Sequence, residues 1–148
     1  MVKTESLSDL GPGEVDLIEK EIKDDTIRRR ALHVVTENGR VLEAVRLLHI
    51  SDLEGFGRMM NLSHDSLRNN YEVTGTELDT LVYEARKIDG VIGSRMTGAG
   101  FGGCTVNIVK KTAAGNFTEA LGRIYREKTG LDASFYVPTI EDGAHLLS

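Results

Sequence analysis

The sequence predicts an α+β fold, and three observations carry that prediction. Apolar residues recur at helical spacing along the first part of the chain. A glycine-rich run, Gly93-Ser-Arg-Met-Thr-Gly98-Ala-Gly100-Phe-Gly102-Gly103-Cys104, then interrupts that period, and the residues on either side of it alternate as strands do. A further amphipathic helix and a last alternating stretch follow. Helices first, then interleaved strands and a helix, favour α+β over a doubly wound sheet.

Taken in order, residues 1–13, with Gly11-Pro12-Gly13, read as a flexible leader, and 14–148 as a single domain. A first helix starts near Glu14 and runs, with a break at Asp24-Asp25, through residues 26–38, and Gly39 reads as its end. Val41, Leu42, Val45 and Leu48 predict another helix. Ser51 with Glu54 reads as a capping box for a helix carrying Phe56, Met59, Met60 and Ser63 on one face. Thr74 with Glu77 repeats that signal ahead of the stripe Leu78, Leu81, Val82 and Ala85. Strands are expected over 91–96 and 104–109, with Cys104, Val106 and Ile108 on one face and Cys104 a small buried hydrophobe. Phe117, Ala120, Leu121 and Ile124 predict a helix ending near Gly130, and Ala133, Phe135 and Val137 a strand before Pro138.

Composition narrows the function classes. The 148 residues are 40% hydrophobic and 28% charged, which suits one packed core rather than disorder. A net charge of −5 argues against nucleic acid as a partner, since phosphate binding relies on clustered Lys and Arg. The run Arg28-Arg29-Arg30 sits beside many carboxylates and reads as a paired helix face. The sequence has no apolar run long enough to span a membrane, no secretory signal pattern and a single cysteine, so the expected location is cytoplasmic, with no membrane partner.

The glycine run carries the chemistry. Gly98-Ala-Gly100-Phe-Gly102-Gly103 satisfies G-x-G-x-x-G, but a strand follows where a dinucleotide site needs a helix N-terminus. No Gly-Lys-Ser/Thr ending makes it a Walker A loop. Two readings stay open: a site where backbone presses against a ligand or another loop, or a tight turn between strands. Arg95 is placed either to reach a phosphate or to pair with an acidic residue of a neighbouring strand, and Thr97 suits an ST-turn. His64, within Ser63-His64-Asp65-Ser66, invites a Ser/His/Asp triad, but residues adjacent on a helix do not face each other. His33, His49, His64 and His145 form no metal-binding spacing.

The same run resembles the third motif of the GHMP kinases, most closely in its galactokinase form. Arg30-Ala-Leu-His33-Val-Val-Thr-Glu37-Asn38 is similar to a His-Val-Val-x-Glu-Asn helix of that group, and Ser63-His64-Asp-Ser66-Leu67, Tyr71-Glu72-Val73 and Glu77-Leu78-Asp79 follow in the same order. Asp132-Ala-Ser-Phe-Tyr136 and Asp142-Gly143-Ala144 match its endings. The resemblance runs from about residue 14 to about residue 145.

It implies a four-stranded antiparallel sheet packed against helices, ferredoxin-like, and transfer of the ATP γ-phosphoryl group to the 1-OH of galactose. ATP and Mg are the implied cofactors, galactose the substrate. The family's Gly-Glu-His motif, Gly-Leu-Ser-Ser-Ser phosphate loop and catalytic Asp and Arg motifs do not occur here. The chain therefore reads as a C-terminal domain, inactive alone, whose partner is the missing N-terminal domain, and whose uncovered surface favours self-association. Thr97, Gly98, Ala99, Gly100, Phe101, Gly102 and Gly103 are expected in the substrate and nucleotide cleft, and Ser63 and His64 at an interdomain contact, with no catalytic or metal-binding residue in this chain. The alternatives are another GHMP kinase, acting on N-acetylgalactosamine or mevalonate, and a non-catalytic sugar sensor.

Overall fold

A computed structural model of the chain describes residues 5–139. Asp142, Gly143, Ala144 and His145 lie outside the described residues. Within 5–13, short 3-10 turns cover Leu7–Asp9 and Pro12–Glu14, and Leu10 is buried in a cluster with Ile18, Ala31 and Val35. Helix α1 (Val15–Glu21) leads into α2 (Asp25–His49), where the Asp24 carboxylate accepts from the Ile27 N–H at 2.8 Å and caps the first turn.

Helix α2 does not stop at Gly39, and the two helices expected there are one. A Cβ at Gly39 would lie 2.6 Å from the Pro12 ring, so this glycine makes room for packing instead of ending the helix. Helix α3 (Leu53–Ser66) is capped by Asp52, whose carboxylate accepts from Gly55 N–H at 2.8 Å. Ser51, the expected cap, takes a positive φ of 58° to turn the chain between α2 and α3. A π-helical turn, Leu67–Tyr71, extends α3. Helix α4 (Thr76–Ala85) starts at Gly75 with no side-chain cap, and Thr74 is buried instead of capping. Its predicted stripe is the packed face: Leu78, Val82 and Ala85 are buried and Leu81 packs alongside.

Strands β1 (Val91–Thr97) and β2 (Cys104–Val109) form the expected antiparallel pair, with Arg95 opposite Val106 and Thr97 opposite Cys104. Helix α5 (Ala114–Thr129) ends at Gly130 in the left-handed conformation, as the spacing predicts. It packs Phe117 and Leu121 against Ala85, Val91 and Val109, the second core cluster. Helix α3 crosses β1 so closely that a Cβ at Gly57 would strike the Ile92 carbonyl and one at Gly93 would lie 2.6 Å from the Gly57 Cα.

The sheet is a correction. Among the described residues it has two strands, not four. Residues 133–137 alternate but pair with no strand among the described residues, and an extended segment becomes a strand only by sharing its N–H and C=O groups. Phe135 instead lies over Gly122 and meets the Phe117 ring edge-on at 6.4 Å, while Tyr136 and Val137 are exposed. Cys104, expected to be buried, is exposed, because it sits at the mouth of the glycine turn, at the open end of β2.

Candidate functional site

The loop over 97–103 is the tip of the β1–β2 hairpin. Gly98, Gly100, Gly102 and Gly103 have φ of 86°, 89°, 126° and 103°, and Phe101 joins them at 59°. A run of left-handed residues is open to glycine and costs other residues about 1–2 kcal/mol each. Added Cβ atoms at Gly98, Gly102 and Gly103 would meet open space, so there conformation alone requires glycine. At Gly100 a Cβ would collide with the Val73 carbonyl oxygen, so there the space itself is closed. The Phe101 N–H donates to that same carbonyl at 2.7 Å, and the Phe101 ring is 81% exposed. Thr97 and Ala99 are exposed. The result is a bent, solvent-facing loop anchored at one point.

The side chains of Ser63-His64-Asp65-Ser66 each turn to a different partner outside the segment. The Ser63 hydroxyl donates to Glu37 of α2 at 2.5 Å. His64 Nδ1 accepts from the Met96 N–H of β1 at 3.2 Å, and its Nε2 lies 3.3 Å from the Asp79 carboxylate of α4. Asp65 takes Arg86 at 2.7 Å, and Ser66 faces His33 Nδ1 at 3.0 Å. The triad geometry is therefore absent. Ser63 and His64 are only 2% and 3% exposed, and their side chains brace the inside of this chain.

Electrostatics follows from that wiring. Burial pushes His64 below the usual imidazole value, aided by Arg86 and opposed by Asp79. Burial does the same to His33. A neutral His64 is what the geometry needs, since only an unprotonated Nδ1 accepts from Met96. Burial alone would raise the Glu37 carboxyl, but hydrogen bonds from Ser63 and Arg40, with Arg95 nearby, bring it below its ordinary value.

Arg95 answers the question its position posed. Its Nε donates to the Met96 carbonyl at 3.0 Å and its Nη1 lies 3.6 Å from Glu37, so it pairs with α2, a helix and not a neighbouring strand. The Arg28-Arg29-Arg30 face is paired as read, onto Asp25 and Glu72. Beside the loop, a cleft of about 370 Å³ opens between α2, α3 and the strands, floored by Phe56, Met59, Val106 and Ile108 with Glu37 and Arg95 at its polar end. No group of three or more His, Cys, Asp and Glu among the described residues is placed to hold a metal, and no helix there is long and apolar enough to cross a membrane.

Two residues that matter to the loop escape sequence reading: Val73, which anchors it, and Glu37, which ties Ser63, Arg40 and Arg95 together. Both stand inside stretches that carry the family resemblance, Glu37 in the His-Val-Val-x-Glu-Asn stretch and Val73 in Tyr71-Glu72-Val73, but neither stretch says what its residue touches.

Comparison with known proteins agrees with this geometry. The family described as GHMP kinases C terminal matches residues 42–127, which holds α3, α4, both strands and the loop. A galactokinase of Fusobacterium nucleatum is 50% identical over 97% of this chain and 37% of its own length. One from Clostridium acetobutylicum is 53% identical over 94% of this chain and 36% of its own. The crystal structure of Lactococcus lactis galactokinase complexed with galactose superposes with a TM-score of 0.88 at 44% identity, over 91% of this chain and 35% of that one. The chain thus spans a little over a third of the length of the curated relatives it matches. It belongs to the GHMP kinases, as their C-terminal domain, and within them its similarity is to the galactokinases.

Proposed function

We propose that this chain is the C-terminal portion of a galactokinase, and that its loop over 97–103 forms one wall of the cleft in which ATP and galactose meet. The observation that carries the reading is identity of about one half to galactokinases over nearly the whole chain, glycine loop included. In the reaction, the galactose 1-hydroxyl oxygen attacks the γ-phosphorus, the bond to the bridging oxygen of ADP breaks, and the hydroxyl proton passes to a base. Such transfers depend on positioning and on stabilising charge, which suits a preset backbone wall. On this reading Mg with its ATP, the base and the main phosphate loop belong to the part that galactokinases carry ahead of this region, since the motifs the resemblance assigns to them do not occur in this sequence.

Surface chemistry supports the same division. Val41, Leu42, Val45 and Leu48 form an exposed apolar band on α2 beside the cleft. A band of this kind fits burial against another domain, and in its absence it favours self-association. The location proposed is the cytoplasm. The test is galactose-dependent ADP release from ATP and Mg. This chain alone gives none, whereas mixing it with the N-terminal two-thirds of the Fusobacterium nucleatum relative restores it. Turnover by purified chain alone, or none from a mixture in which the two parts associate, would contradict the proposal.

A further inference from the structure

The arginine run of α2 does more than solvate a helix. Arg28 pairs locally with Asp25, but Arg29 and Arg30 reach the segment after α3. Arg29 Nη1 donates to Glu72 Oε1 at 2.6 Å and to the Asn69 carbonyl at 3.1 Å. Arg30 Nη2 donates to Glu72 Oε2 at 2.6 Å, and its Nη1 to the Asn70 carbonyl. Each oxygen of one carboxylate is thereby held by a different guanidinium. The Arg30 guanidinium also lies 5.8 Å from the centre of the Tyr71 ring, which packs on His33 at 4.7 Å.

What these contacts hold is an unusual stretch of backbone. Leu67–Tyr71 is π-helical, a form rare except as single turns, and Glu72 follows at φ 59° and ψ 44°, a left-handed conformation unfavourable for a residue with a Cβ. The next residue is Val73. Its N–H returns to the Leu67 carbonyl at 3.2 Å, and its own carbonyl receives the Phe101 N–H and closes the space at Gly100. Among the described residues, this is the one main-chain hydrogen bond that residues 98–103 make outside the β ladder.

We propose that Arg29, Arg30 and Glu72 are positioning residues for the glycine loop: the two arginines fix Glu72 in its left-handed conformation, and through the Val73 carbonyl they set where Phe101, and with it the loop, stands. The importance of that placement for turnover rests on the galactokinase reading; the anchor itself does not. Exposed ion pairs contribute little to global stability, so the effect expected is local. The Glu72 carboxyl is held down to about 2 by hydrogen bonds from Arg29 and Arg30, which keeps the clamp charged at any ordinary pH.

The test is amide hydrogen exchange by NMR on this chain, comparing Phe101 with amides inside α5. Glu72→Ala accelerates Phe101 by about tenfold and leaves α5 unchanged, because only the local opening becomes easier. Glu72→Gln, which keeps the shape and one accepting oxygen, gives a smaller acceleration of about threefold and carries the test if the alanine variant does not fold. Unchanged Phe101 exchange in either folded variant, or acceleration only in step with α5, overturns the proposal. ADP release reads the galactokinase assignment separately: its failure alongside the expected exchange result removes that assignment and leaves the anchor standing.

Discussion

The α3 segment Ser63–Ser66 and the hairpin loop over 97–103 sit close together in this fold, and they are opposites. The first is rich in groups able to do acid, base or nucleophilic chemistry, and every one is committed: Ser63 to Glu37, His64 to Met96, Asp65 to Arg86, Ser66 to His33. The second has one hydroxyl, no ionisable side chain and mostly glycine, and it faces solvent. Reactive side chains here brace the scaffold, and what the scaffold offers outward is a shape. In phosphoryl transfer, where positioning supplies much of the rate, a shape is a useful contribution.

Substitution at Gly100 gives the largest expected effect and sharpens the contrast within the loop. Gly100→Ala combines the left-handed penalty of about 1–2 kcal/mol with a collision against Val73, while Gly98→Ala incurs the conformational penalty alone. Thermal unfolding should rank Gly100→Ala clearly below Gly98→Ala; equal losses would mean that the Val73 contact carries no weight. Next comes His64→Ala, which leaves the buried Met96 N–H without its acceptor and is expected to cost about 1–3 kcal/mol by denaturant unfolding. His64→Asn, which keeps an acceptor near the Nδ1 position, recovers part of that loss.

Acid should act in two stages. His33 and His64 titrate below their unfolded value of 6.5. In that window the unfolded chain binds more protons than the native one, so stability falls as pH drops below about 6.5 and levels off under the native values. Glu37 and Glu72 are also depressed, from 4.5, so the stability they contribute is present above that value and is lost as pH falls below it. Unfolding midpoints measured from pH 8 to pH 3 should show both declines, and in His64→Asn the upper one should shrink. The smallest effect belongs to Cys104→Ser: an exposed side chain at the loop mouth should change stability by no more than about 0.5 kcal/mol.

Much of this was legible in the sequence where the determinants are local. The stripe Leu78, Leu81, Val82 and Ala85, the β pair around the glycines and the stop at Gly130 follow from period and turn chemistry within a few residues. What escaped depends on distant partners. Gly39 reads as a helix end until Pro12 is seen lying against it. Ser51 reads as the cap of α3 until the turn between α2 and α3 gives that place to Asp52. The strand expected at 133–137 has the right alternation, and pairing needs a neighbour that alternation does not supply. The site divides the same way: four glycines marked the loop, but nothing near Tyr71-Glu72-Val73 in sequence announces that Val73 holds it.

The contrast between braced chemistry and exposed shape is tested most directly by turnover in the enzyme reassembled from this chain and the N-terminal part of a relative. The comparison is between Gly102→Ala, whose Cβ meets open space, and His64→Asn, whose side chain is buried. The account predicts that Gly102→Ala lowers galactose-dependent kcat/KM by about 100-fold, the scale of a small misplacement in a positioned site, while folded His64→Asn stays within about threefold of the unsubstituted chain. Loss of turnover in folded His64→Asn with full activity in Gly102→Ala would contradict it, and would return the chemistry to the histidine.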